Sequence, residues 1–321
     1  MTVLGLDVSK ATIDACLLSN DSEASKKIAN NEKGFAQLKN WLKNRKVKDV
    51  HVCMEATGSY FESVAESFAD DGFVVSVVNP AQIKSFGASQ LLRAKTDEVD
   101  AKLIAQYCLS QQPPAWVPPT AEQRKFRALV RFCENLKATR ASYEVQRQTP
   151  NIVREVKRSI DEVLANLDEQ IEKVEEQIAH LIDNDPDLRR RHGLLTSIDG
   201  IGDVAASTIL AEAPKLEEFS SSKAVAAFAG LSSRTRSSGT SVRGRGAICK
   251  VGNARLRKVL WWPAIVGIRY NPRLRDLAQR MHALGKPNKK IIVAAMRKLL
   301  VIAYGVLKSR RPYLAPLTEP S

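Results

Sequence analysis

Two aspartates, Asp97 and Asp100, stand three residues apart in the stretch RAKTDEVDAKLIAQYC, residues 93–108. At that spacing they share one face in the first turn of an amphipathic helix, where like charges repel by roughly 0.2–0.5 kcal/mol unless a cation sits with them. Acids in a first turn also meet the helix dipole favourably, so an isolated Asp-x-x-Asp is a structural feature. Two further acids change its meaning. Asp7 closes the first β-forming run in LGLDVSK, and Glu55 closes a later one in HVCMEATGSY. If the fold gathers all four, their repulsion is tolerable only around divalent cations, and such hard oxygen donors select Mg2+, with Mn2+ a possible substitute. Two such ions would stabilise the attacking and leaving oxygens of a phosphoryl transfer.

Whether the four acids meet depends on the elements that carry them. Val3 to Val8 and Thr12 to Leu18 read as two strands joined by a short polar turn, and SKKIAN supplies a third strand. Phe35, Leu38, Trp41 and Leu42 recur at helical spacing. VKDVHVCME is the next strand, a helix follows from about Tyr60 to Phe68, and FVVSVVN is a buried strand ended by Pro80. Three antiparallel strands followed by alternating helix and strand is the order of a ribonuclease H-like, mixed-sheet α/β domain. In such a sheet the first and fourth strands are neighbours. Asp7 and Glu55 would then meet at their carboxyl ends, and a helix packed across them would deliver Asp97 and Asp100.

The stiff run QQPPAWVPP marks a boundary, so residues 1–115 form the expected metal-binding domain. Residues 116–187 read as a long-helix region. Gln123 to Gln148 forms one helix, and Ile160, Leu164, Leu167, Ile171, Val174, Ile178 and Leu181 of the next follow a heptad repeat. That coiled-coil seam can close on the preceding helix or on another subunit. Residues 188–321 form an all-α, mostly helical domain. Gly200 and Gly202 sit in a turn between two short apolar helices, a helix-hairpin-helix-like pattern whose backbone N–H groups could hold phosphate. The polar loop SSRTRSSGTSVRGRG follows, and then KVGNARLRKVLWWPAIVGI, a basic helix with a Trp pair expected to be buried.

The 321 residues are 44% hydrophobic and 26% charged, which is ordinary for a globular protein. No apolar run approaches the roughly 18 residues of a membrane span and no signal core leads the chain, so a cytoplasmic protein without membrane association is expected. The five cysteines lack the close pairs of a zinc site and suit reduced thiols. Charge is uneven: residues 187–321 hold 25 Lys and Arg against 8 Asp and Glu, while residues 1–186 are close to balance. An excess of that size draws in polyanions, nucleic acid first among them. Arg234, Arg236, Arg243 and Arg245 in the polar loop, with Lys250 and Arg255 beyond it, are the candidate phosphate contacts.

GLDVSK, MEATGSY, RAKTDEVDAKLIA, IDGIG, FAGLSSRTRSSGTSVRG and KVGNARLRKVLWWPA occur in that order, and together they resemble the transposases of the insertion-sequence-110 family, relatives of the Piv DNA invertase. The resemblance covers nearly the whole chain. It implies a RuvC-like domain with a DEDD metal site built from Asp7, Glu55, Asp97 and Asp100, a coiled-coil middle, and a carboxy-terminal transposase domain with a nucleophilic serine. It also implies a non-coding bridge RNA that pairs with donor and target double-stranded DNA, and a homo-oligomer, a dimer or a tetramer. The family's serine falls on Ser238, although Ser237, Thr240 and Ser241 are close by and Ser241 also fits a Ser-Gly-x-Ser pattern. Read without the family, a serine in such a loop binds backbone or phosphate. Two other functions stay open at this level: a metal-dependent resolvase of branched DNA, and a non-catalytic nucleic-acid scaffold.

Overall fold

The structure is a computed structural model. It describes every residue except 20, 21, 48, 57, 59, 91–96, 235–236, 239–241, 244–246, 250 and 315–321, and the backbone alone at 97, 98, 234, 237, 238, 242, 243 and 247. The chain forms two compact units, Met1–Pro119 and Thr120–Ser321.

The first unit is built on a five-stranded mixed sheet. Strands β1 (Thr2–Val8), β2 (Thr12–Ser19) and β3 (Ser22–Ala29) make an antiparallel meander, and β4 (Val50–Glu55) and β5 (Val74–Val78) add in parallel on the other side of β1. The order is β3-β2-β1-β4-β5. Strand alternation divides the apolar residues between two cores. Leu4, Leu6, Ile13, Val52 and Met54 pack with α1 (Glu32–Asn44) and α2 (Phe61–Asp70), whereas Val3 and Cys53 pack with α3 (Pro80–Ser89) and α4 (Asp97–Gln111). Pro80 ends a strand and also starts a helix: it stands at the first position of α3, behind a capping box made by Asn79 and Gln82.

Gly5 sets how closely α4 can lie on the sheet. A Cβ at this position would come 2.3 Å from the Ala101 carbonyl oxygen and 2.4 Å from the Ala105 nitrogen. Only a residue without a side chain permits that approach. The small residues Ala101 and Ala105 complete the fit, and one turn further on the thiol of Cys108 meets that of Cys53. The proline-rich segment then runs beside β5. The Trp116 backbone N–H donates to the Val75 carbonyl at 2.7 Å, and the Ser76 hydroxyl, with one proton to give, stands within hydrogen-bond reach of the Pro113 and Pro114 carbonyls at 3.0 and 2.8 Å.

The second unit is helical. α5 (Ala121–Arg147) and α6 (Arg154–Asn184) fold back on each other, and the pairs Lys137–Glu175 at 2.5 Å, Arg140–Asp168 and Arg147–Asp161 at 3.4 Å fix an antiparallel hairpin. Six of the α6 apolar residues are buried: Ile160, Leu164, Ile171, Val174, Ile178 and Ile182. Phe126 and Val130 of α5 share one core with α7 (Pro186–Thr196), α8 (Asp203–Glu212) and the later helices α9 (Ser222–Phe228), α10 (Ala254–Val259), α11 (Trp261–Tyr270) and α13 (Asn288–Ser309). α12 (Pro272–Ala283) packs between α11 and α13. The hairpin therefore shares this core at Phe126, Val130, Ile171, Val174, Ile178 and Ile182. The Trp pair is split, contrary to the buried pair expected: Trp261 packs on the core, but Trp262 is 70% exposed, because consecutive helical residues point about 100° apart.

Gly5→Ala would set a methyl group against the α4 backbone. We expect it to lower the stability of this unit by about 1–3 kcal/mol, the usual range for overpacking. A urea unfolding curve unchanged from wild type would mean that α4 can shift outward without loss.

Candidate functional site

The sheet aligns four charged residues in a single row. Asp7 is the register partner of Asp14 on β2, and Asp14 is the partner of Lys27 on β3. On the other side Leu6 pairs with Met54, so Asp7 and Glu55, each one residue further on, lie side by side at the carboxyl ends of two parallel strands. Register partners point to one face, and Asp7 shares its face with Gly5, where α4 lies. Asp100 immediately precedes Ala101, the residue seated over Gly5, and is half-buried. α4 begins at Asp97, whose side chain lies outside those described. Among the described residues, no three His, Cys, Asp or Glu side chains are close enough to hold a metal ion by themselves.

Asp14 is the acid that sequence reasoning missed. Like charges directly opposite on an antiparallel pair are destabilising. Here Lys27 stands 3.0 Å from Asp14 and offsets one of the two negative charges. The signal was available, since pairing β1 with β2 across the Ser9–Ala11 turn sets Asp14 opposite Asp7. The acids here offer hard oxygen donors, and Asp7, Glu55 and Asp100 are each only partly buried, which suits a divalent cation reached from solvent.

In the second unit the polar loop forms two small ladders. β6 (Ser233–Arg234) pairs with β9 (Ala247–Ile248), and inside them β7 (Ser237–Ser238) pairs with β8 (Val242–Arg243). Ser238 is opposite Val242, the last described pair of this ladder. The side chains of Arg234, Ser238 and Arg243 are not among those described, and Arg236, Thr240, Ser241, Arg245 and Lys250 lie outside the described residues.

Gly200 adopts φ +103°, and a Cβ there would meet the Pro263 carbonyl oxygen at 2.7 Å and Gly267 Cα at 2.9 Å, so the turn before α8 is pressed against α11. Gly202 caps α8 and faces open space. Arg255 is engaged within the unit. It holds Glu134 at 2.8 Å and stands 3.8 Å from Glu212. Glu212 is the centre of that cluster: Arg131 grips it with Nε at 2.6 Å and Nη2 at 3.0 Å, and Asn253 donates at 2.8 Å. Burial alone would raise the Glu212 carboxyl above its ordinary value, but the hydrogen bonds from Arg131 and Asn253 and the charges of Arg131 and Arg255 outweigh it and hold the carboxyl below.

Two family profiles match this chain. One, described as a transposase of the DEDD IS110 type, spans residues 4–157 and so covers all four acids; the other, described as the transposase IS116/IS110/IS902 family, spans residues 192–279 and covers Ser238. The chain is 33% identical over 315 residues to the pilin gene-inverting protein of Moraxella bovis, with 97% of each chain covered, and equally to that of Moraxella lacunata. It is also 28% identical over 115 residues to an uncharacterised 43.6 kDa protein of insertion element IS110 from Streptomyces coelicolor, covering 36% of this chain and 28% of that one.

The Glu212 cluster predicts an acid-sensitive contribution to stability. A carboxyl held below its ordinary value of 4.5 stabilises the fold above that value, and the contribution is lost as pH falls through the lower, folded value. Glu212→Gln should cost about 3–5 kcal/mol at pH 7, since it removes one charge of a buried, hydrogen-bonded ion pair. The gap between variant and wild type in urea midpoint should narrow as the pH drops below 4.5. A gap independent of pH would remove the electrostatic account.

Proposed function

Because the chain belongs to the IS110 family of transposases and is thereby a DNA recombinase, we propose that Ser238 is its nucleophile and that Asp7, Glu55, Asp97 and Asp100 hold the divalent cations that the reaction needs. The observation that carries the metal half is the in-register placement of Asp7 and Glu55 on neighbouring parallel strands, with α4 starting three residues before Asp100. Two carboxylates held side by side raise the cost of leaving that place without a cation. Mg2+ or Mn2+, when bound, supplies charge neutralisation at the phosphate and lowers the pKa of a coordinated hydroxyl.

The serine half rests on the family match and on chemistry. Ser238 Oγ forms a bond to phosphorus as one P–O bond of the strand breaks; the serine proton is given up, and the departing strand oxygen gains one and leaves as a hydroxyl. The phosphoserine ester conserves the bond energy, so that a hydroxyl of a second strand can reverse the step and reseal the backbone. A serine hydroxyl needs activation. No histidine occurs between His192 and His282, which turns attention to the cations of the carboxylate site as the activating group. Arg234, Arg236, Arg243 and Arg245 flank the serine in sequence and suit the negative charge that builds on the phosphate.

On the same reading the recombinase takes donor and target duplex DNA, is guided by a bridge RNA and works as a dimer or tetramer, because strand exchange joins two duplexes and several cuts must be coordinated. The excess of Lys and Arg in residues 187–321 supports polyanion binding. Gly200, Gly202 and Lys250 are proposed to contribute backbone or charge contacts, with Arg255 a contact only where it can do so while holding Glu134. No described helix is long and apolar enough to cross a membrane.

Asp7→Asn and Glu55→Gln should each abolish recombination and weaken Mn2+ binding, read by calorimetry, while leaving the unfolding curve in place. Normal recombination by both in Mg2+ would refute the metal assignment. Ser238→Ala should eliminate the covalent protein–DNA adduct on a denaturing gel yet retain DNA binding, whereas Ser241→Ala should keep the adduct. A loop hydroxyl that only binds is worth on the order of 1 kcal/mol, about fivefold in rate, so complete loss is the mark of a nucleophile. Cleavage by wild type without any adduct would instead support water as the nucleophile and a resolvase.

A further inference from the structure

α11 presents an exposed face that the fold does not use. Trp262 is 70% exposed, Val266 42% and Tyr270 66%, and the spacing of four residues puts all three on one side of the helix. Only Leu260 separates α10 from α11, and its backbone is itself right-handed helical, so Lys258 continues the same row one turn before Trp262. In front of this row lies a cleft of about 980 Å³ within the second unit, walled by Val204, Trp262, Val266 and Val293, with Arg257 and Lys258 on its lining. Two acids are also on the lining: Glu134 is held by Arg255, and Asp203 stands 3.8 Å from His192. Among the described residues neither Lys258 nor Arg269 meets a carboxylate. A large flat indole beside an uncommitted lysine, in the half of the chain that is rich in cations, fits a base with its phosphates. Exposed tryptophan and tyrosine also suit protein interfaces, so what favours a polyanion here is the cation excess of residues 187–321 and the uncommitted Lys258.

We propose that this cleft receives an unpaired base of a DNA strand, the Trp262 indole stacking on the base and Lys258 meeting a flanking phosphate. Stacking is indifferent to sequence because every base has a π face, so the site would hold a strand opened during recombination without choosing which one. The inference takes from the proposed function only that the protein acts on DNA. It involves neither Ser238 nor the carboxylates, so binding here and cleavage can fail separately.

The test is fluorescence anisotropy of the full chain with a labelled twelve-nucleotide single-stranded DNA, the same sequence as RNA, and the duplex. Trp262→Ala should weaken single-stranded DNA about fivefold or more and leave the duplex within about twofold, and Trp262→Phe should recover most of the loss. Its dependence of log K on log salt should match wild type, whereas Lys258→Ala should make that slope shallower by about 0.7, the share of one phosphate on a single strand. Unchanged single-strand affinity, or an equal loss on the duplex, overturns the proposal. A loss confined to the RNA overturns the choice of DNA. If Trp262→Ala lowers the mass in light scattering and leaves single-strand binding intact, the face belongs to a second copy of the chain.

Discussion

A helix can settle on a strand at backbone contact only where the strand has nothing to hold it off, and the amino-terminal unit depends on one such place. At Gly5 the α4 backbone occupies the volume that any side chain would fill. That contact fixes the height of α4 over β1, and α4 is the element on which Asp97 and Asp100 ride. Had the strand carried alanine instead, the helix would stand further out and its first turn would move away from the row that runs through Asp7 and Glu55. Cys53 and Cys108 share the core further along the same helix, a second contact between α4 and the sheet.

The two units solve the problem of burying charge differently. In the first, the acids stay at the solvent-facing end of the sheet, with one of them, Asp14, neutralised by Lys27. In the second, Glu212 is buried, and Arg131, Asn253 and Arg255 converge on it from α5, the residue that caps α10, and α10 itself. A buried carboxylate of this kind is tolerated only with nearly all of its acceptor capacity filled, which ties the long hairpin to α8 and α10 in one geometry.

Most of the first unit was legible in its sequence because alternation is a strong signal: Leu4, Leu6 and Val8 against Val3, Gly5 and Asp7 declares both faces of β1. The pairing of Asp7 with Glu55 followed from strand order alone. α3 was not legible, because Pro80 reads as a stop whereas it opens a helix behind the Asn79 cap. The ladders around Ser238 were hidden for another reason, since strands of two residues carry no period to detect. Composition misled at Trp262, where an apolar run suggested burial of both tryptophans and helical rotation turned one outward. The heptad residues of α6 announced an apolar face without saying what lies beside it, and the structure sets α5 against α6.

The proline-rich segment beside β5 has a consequence for assembly. An open sheet ends in two rows of unsatisfied backbone groups, and such borders recruit strands from other molecules. Here one border is taken by residues 113–116, whose prolines offer no N–H of their own and whose Trp116 occupies the Val75 carbonyl. The opposite border, β3, carries Lys26 and Lys27 and exposes most of its residues. Neither side invites the zipping of a foreign strand. The surface left open for contacts is that of the helical faces and the carboxylate end, and the sheet is guarded against polymerising through its own borders.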